Sequence, residues 1–184
     1  RAAHEMATDV IVASGDFTQR AKRSEYENAR AFLDRLPQRP LVVTPGNHHV
    51  PLYRIFERIT APHRLYREHI SPELNAVYRM ENAVIVALDS TSPHRAITNG
   101  RLSRWQLDFC ERAFADAPPE AARIVVTHHH LAPAPDYEGG EVMPRAKRAM
   151  DRFSAIGVEM ILGGHLHRAY IGNSLDVYPG TDRE

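Results

Sequence analysis

Met160-Ile161-Leu162-Gly163-Gly164-His165-Leu166-His167 is an apolar run that halts on two glycines and then delivers two histidines. Runs of Val, Ile or Leu bounded by Gly or Pro read as buried strands. The same construction occurs three more times. Val10-Ile11-Val12 leads to Gly15-Asp16-Phe17-Thr18, Leu41-Val42-Val43 to Gly46-Asn47-His48-His49, and Ile124-Val125-Val126 to Thr127-His128-His129-His130. In sheets of parallel character, ligands collect beyond the carboxyl ends of the strands. The four patches therefore direct one carboxylate, one amide and several imidazoles to a single rim, the outline of a metal site.

The donor types narrow the chemistry. Asp16 offers a carboxylate able to bridge two cations, Asn47 a neutral amide oxygen, and His128, His165 and His167 imidazole nitrogens. Mixed nitrogen and oxygen sets suit Mn, Fe or Zn, whereas Ca and Mg prefer oxygen alone. With no thiolate at the rim, catalysis is favoured over a closed structural zinc site. The glycines beside the ligands (Gly15, Gly46, Gly163, Gly164) are expected to let the chain turn sharply off each strand. Each patch alone is a weak signal. Gly-Asn-His also fits an ordinary turn, and adjacent histidines also fit a solvated surface. All four in order, each after a strand, are specific.

Working outward, the periodicity predicts strands over 9–13 and 41–44 with a helix over 19–36 between them, its Tyr26, Ala29, Phe32, Leu33 and Leu36 at helical spacing. Ile55, Phe56 and Ile59 suggest a short helix, and 60–75 reads as loop-rich. Residues 76–80 and 83–88 form a hairpin. Ser103 and Gln106 make a capping box that opens a helix to 115. A helix near 144–156 buries Ala149, Met150 and Phe153 and ends at Gly157. A closing hairpin covers 169–172 and 175–178, and 1–7 reads as the last turns of a helix. The alternation predicts one α/β layered domain over 1–184, a mixed sheet or two sheets sandwiched between helices.

Gross composition bounds the rest. The 184 residues are 43% hydrophobic and 25% charged, with Lys plus Arg equal to Asp plus Glu at 23 each. Such a balance gives no bulk field toward nucleic acid or a membrane surface, and no apolar run reaches membrane-spanning length. The single cysteine, Cys110, excludes an internal disulfide and fits a reducing, cytoplasmic setting. Nothing in the sequence indicates an oligomeric state. Of the eleven histidines, His4, His63, His69 and His94 lie outside any ligand pattern and read as surface or satisfied core residues.

The ordered series Gly15-Asp16, Gly46-Asn47-His48, His128 and Gly163-Gly164-His165-Leu166-His167 resembles the calcineurin-like metallophosphoesterase superfamily. The third motif and the Asn99-to-Ser103 stretch are similar to bacterial class III cyclic-nucleotide phosphodiesterases. The likeness runs from about Val10 to Tyr170. It implies a layered sandwich of mixed sheets flanked by helices and two bound metal ions, divalent or trivalent (Mn, Fe or Zn). Asp16 would bridge them, Asn47, His128 and His165 would complete one sphere, and His167 would bind the other. His128 is chosen among the three histidines because it directly follows the strand. His129 and His130 read as supporting or packing residues. His48 would not bind metal but would protonate the leaving alkoxide or stabilise phosphoryl charge. Two cations about 3.5–4 Å apart would activate a bridging hydroxide for in-line attack. The substrate would be a small phosphoester or cyclic nucleotide. The loop 131–143 reads equally as a pocket lining and as plain surface.

The sequence also departs from that pattern. The family's opening Asp-x-His motif is absent, so the first strand is expected to be missing and the chain incomplete at its N-terminus, with 178–181 suggesting a cut C-terminus. His49 stands where Asp or Glu is usual. The second metal position then keeps only Asp16 and His167, so weak or single-metal occupancy and little phosphodiesterase activity are expected of these 184 residues. A non-catalytic scaffold that has lost part of its metal site is the competing reading. A DNA-processing nuclease is disfavoured by the zero net charge.

Overall fold

In the computed structural model, residues 8–95, 98–133, 142–167 and 170–172 are described. The expected helical turns at 1–7, most of the loop 131–143 and the second strand of the closing hairpin, 175–178, lie outside them; in the first, 170–172 are described and form no strand. A two-stranded parallel sheet joins β1 (Ile11–Ala13) to β2 (Leu41–Val43), with Ile11 opposite Leu41. A four-stranded sheet runs in the order β3 (Ala76–Arg79), β4 (Ala83–Ala87), β5 (Ala122–Val126), β6 (Met160–Leu162). Its first pair is the predicted antiparallel hairpin, and the remaining pairs are parallel.

Strand alternation assigns the two faces of β4. Ile85 and Ala87 face the small sheet, packing with Val42 and Val126. Val84, Val86 and Leu88 face the helices, against Leu107, Cys110 and Phe114 of α4 (Arg104–Ala115) and Ala149 and Phe153 of α5 (Ala146–Ala155). With both faces covered, β4 reads as a continuous apolar run. The Thr44 hydroxyl donates to the Leu88 carbonyl at 2.7 Å, tying the sheets together near their carboxyl ends. The fold is thus a mixed α/β arrangement of two sheets flanked by helices, as the sequence predicts.

Local signals explain the helix ends. The Gln106 side chain accepts the Ser103 N–H at 2.9 Å, the expected half of a capping box. At the end of α5, Gly157 sits at φ +74°, its N–H bonding Ser154 and that of Val158 bonding Phe153, a Schellman stop. Helix α1 (Arg23–Leu33) is shorter than the predicted 19–36. Glu25 accepts the N–H groups of Gln19, Arg20 and Lys22, which holds that stretch as a non-helical loop. Phe32 is exposed rather than buried.

One further expectation needs correction. The segment 60–75 contains a helix, α3 (Arg64–His69), whose Leu65 and Tyr66 pack against Ala21 and Tyr26 beside α1. The short helix α2 (Ile55–Thr60) forms as predicted, but Ile55, Phe56 and Ile59 face solvent. Polar bonds hold it instead: Arg54 pairs with Glu57 and donates to the Ala21 carbonyl. No helix among the described residues is long and apolar enough to cross a membrane.

Candidate metal centre

The carboxyl ends of β1, β2, β5 and β6 meet where the two sheets adjoin. His128 Nε2 lies 3.1 Å from Asn47 Oδ1, 3.2 Å from His165 Nδ1 and 3.2 Å from Asp16 Oδ2. His165 Nδ1 is also 3.1 Å from Asn47 Oδ1. Four side chains spread over 150 residues of sequence thus bring one donor atom each to a common point. Donors bound to one cation at about 2.0–2.2 Å necessarily lie roughly 3–3.5 Å from one another. The spacing fits.

Hydrogen bonds decide which imidazole nitrogens carry lone pairs. The carbonyl of Ser14 can only accept, so His128 Nδ1, 2.7 Å away, carries the proton and leaves Nε2 for the cluster. His129 is sorted the opposite way. Ser90 Oγ accepts the N–H groups of His128 and His129, which uses both of its lone pairs. Its own proton therefore goes to His129 Nδ1 at 2.8 Å, and the His129 hydrogen is left on Nε2. Donor spacing alone would admit His129 with His128 and His165 as a ligand trio. Its tautomer turns it into a donor instead. The His130 ring stacks on His165 at 5.9 Å, steadying that imidazole.

Electrostatics favours cation capture. Burial alone would raise the Asp16 carboxyl, but the hydrogen bond and charge of His128 and the His48 N–H outweigh it, bringing its pKa down to about 2. Burial, reinforced by the charges of His128 and His130, lowers His165 to about 4, so its Nδ1 lone pair is available at neutral pH.

The glycines contribute differently from the expectation. Gly15, at φ +95°, does turn the chain, and a Cβ there would lie 2.6 Å from His128 Nδ1. Gly46 has ordinary extended geometry, φ −112°. It is needed for space, since a Cβ would collide with Asp16 Oδ1 and lie 2.8 Å from His128. Gly163 has nothing near it. The turning falls to the candidate ligand residues themselves: Asp16, His165 and His167 stand at φ +55°, +73° and +53°.

Two expected site residues stand outside the cluster's mutual contacts. His48 donates its backbone N–H to Asp16 Oδ1 at 3.1 Å, and its Nδ1 lies 2.8 Å from the Gln19 carbonyl. Its Nε2 is therefore the nitrogen free to act. His167 is exposed and makes none of the contacts that join the other four. Ser90 was not singled out from the sequence, because a serine after Leu88-Asp89 carries no ligand pattern.

His49 occupies a cradle with two donors. The Gly46 N–H points to its Nδ1 at 2.7 Å and the Phe17 N–H to its Nε2 at 3.0 Å. Burial lowers its pKa to about 3, so at neutral pH it is a neutral imidazole with one acceptor for two amides. A carboxylate would take both. His49→Asp is expected to stabilise the fold by about 1–3 kcal/mol, the cost of an unsatisfied buried donor. The measurement is the urea midpoint at unchanged slope. A lower midpoint would mean that the ring contacts with Phe17 and Tyr66, at 5.1 and 5.3 Å, outweigh the second amide.

The sequence profile of calcineurin-like phosphoesterases matches residues 1–169. The 3′,5′-cyclic adenosine monophosphate phosphodiesterase CpdA of Escherichia coli (strain K12) is 32% identical over 133 residues, covering 71% of this chain and 43% of that protein. A probable cyclic nucleotide phosphodiesterase of Synechococcus sp. is 25% identical over 193 residues, covering 96% of this chain and 65% of that protein. The chain therefore spans less than two thirds of the length of each.

Proposed function

Because the chain belongs to the calcineurin-like phosphoesterase family, we propose that it is a metal-dependent phosphodiesterase acting on a small diester of the cyclic-nucleotide class. The single observation that carries this reading is the convergence of Asp16, Asn47, His128 and His165 donors within 3.2 Å contacts. These four would hold one cation, and Asp16 with His167 would contribute to a second. When bound, such cations supply Lewis-acid neutralisation of the phosphoryl oxygens and an activated water for in-line attack on phosphorus.

The chain's own groups supply positioning and proton movement. Ser14 fixes the His128 tautomer, and the Ser90 hydroxyl pins the backbone of the histidine run. The Gln19 carbonyl holds His48 Nδ1–H, so a proton passed to the departing alkoxide would leave from Nε2 of the imidazolium, the ring then keeping its one hydrogen on Nδ1. His48→Ala is expected to slow turnover about 10²-fold, as for a lost general acid, with cation content unchanged. Loss of cation in that variant would give His48 the wrong role.

The test is hydrolysis of bis(p-nitrophenyl) phosphate and 3′,5′-cyclic AMP with added Mn²⁺, with and without chelator. Turnover that EDTA removes is expected. One equivalent of tightly bound cation per chain should accompany it. Turnover undiminished by EDTA, or no cation uptake at all, would overturn the reading.

A further inference from the structure

A second concavity, of about 800 Å³, opens beyond the carboxyl end of β4, between the loop at 91–95 and the first turns of α4. Its size is that of a small-molecule site, roughly 300–1,000 Å³. Arg67, Arg95 and Arg101 line it, and among the described residues none of the three has a carboxylate partner. Arg67 is steadied by donating to the Pro72 carbonyl at 2.7 Å. Trp105 stands at the rim, 55% exposed, its ring braced edge-on by Phe109 at 6.5 Å. A large aromatic left half in water beside three guanidinium groups offers a stacking face next to an anion clamp.

The floor is ordered in the same sense. Asn75 Oδ1 accepts the Asp89 N–H at 3.0 Å and Gln106 Nε2 at 2.9 Å. Those two bonds set the amide's orientation and leave its nitrogen as a donor. Two carboxylates also border the space. Asp89 accepts the Thr91 N–H at 2.8 Å, faces His63 at 3.5 Å and feels the charge of Arg67, so Asp89 and Glu73 stand against three arginines, and Arg95 and Arg101 are the two without a carboxylate acting on them among the described residues.

We propose that this cavity is a separate binding site for a mononucleotide, the phosphate held by Arg95 and Arg101 and the base stacked on Trp105. Guanidinium forks match phosphate geometry, and base stacking on an indole asks for a planar ring but little sequence of hydrogen bonds. The site shares no lining residue with the Asp16–His165 cluster, so it stands or falls independently of the hydrolytic reading.

Trp105 is the chain's only tryptophan, so intrinsic fluorescence reports on this rim directly. The full chain, stripped of cations with EDTA, is titrated with 5′-AMP. A saturable change in Trp105 emission is expected, with at least tenfold weaker binding for the Arg95→Ala/Arg101→Ala double variant at an unchanged melting temperature. Ribose 5-phosphate and adenosine, each carrying half of the ligand, should each bind at least tenfold more weakly. Equilibrium dialysis of Trp105→Phe should give reduced but measurable 5′-AMP binding, and Asp16→Asn should bind it as the parent does. No saturable signal up to millimolar 5′-AMP would overturn the proposal. So would full affinity in the arginine variant, equal binding of either half, or loss of binding in Asp16→Asn.

Discussion

Asp16→Asn is expected to weaken cation binding and any cation-dependent turnover by about 10³-fold or more, several kcal/mol of lost Lewis-acid anchoring. Asparagine suits this test because it tolerates the left-handed φ of +55° at position 16 and keeps an oxygen for the His48 N–H. Only the charge goes. Asp16 is the one carboxylate among the four convergent donors, so nothing else in the cluster replaces it. In the parent chain, Mn²⁺ at a hundred times its dissociation constant should stabilise the fold by about 2.7 kcal/mol. That increment should vanish in the variant while its cation-free melting curve stays close to the parent's. An undiminished Mn²⁺ shift in Asp16→Asn would remove the carboxylate from the centre.

Gly46→Ala carries the second large effect, and its cause is purely steric. The backbone at 46 is extended and open to alanine, but the new methyl would overlap Asp16 Oδ1 and press on His128 at 2.8 Å. Two of the four donors must then move. Cation affinity is expected to fall 10²-fold or more, beyond the usual 10–100-fold for groups that merely orient ligands. The overpacking itself should cost only about 1–3 kcal/mol of stability. Isothermal titration with Mn²⁺, beside a urea melt, separates the two quantities. Affinity equal to the parent's would show that the Asp16 and His128 side chains can give way without losing their convergence.

Much of this centre was legible because each donor directly follows an apolar run. Asp16, Asn47, His128 and His165 meet as the strand-end reading requires, and β3 with β4 form the expected hairpin. What escaped depends on contacts distant in sequence. α3 carries its buried pair, Leu65 and Tyr66, side by side rather than at helical spacing, and Tyr66 is buried through packing against Ala21 and Tyr26. The start of α1 is set by Glu25 gathering three preceding amides, which spacing alone does not register. His128 is preferred to His129 already in the sequence, but the tautomers that set them apart depend on Ser14 and Ser90, partners that become visible only once the strands are assembled.

Asp16, His165 and His167 all occupy a backbone region that most side chains avoid. Asparagine, aspartate, histidine and glycine enter it most readily, whereas β-branched residues are strongly disfavoured. Any lineage that re-tools this rim is thereby confined to a short alphabet at three of its positions. Every member of that alphabet except glycine is itself a metal-binding type, so drift here tends to exchange one coordination chemistry for another before it erases the centre.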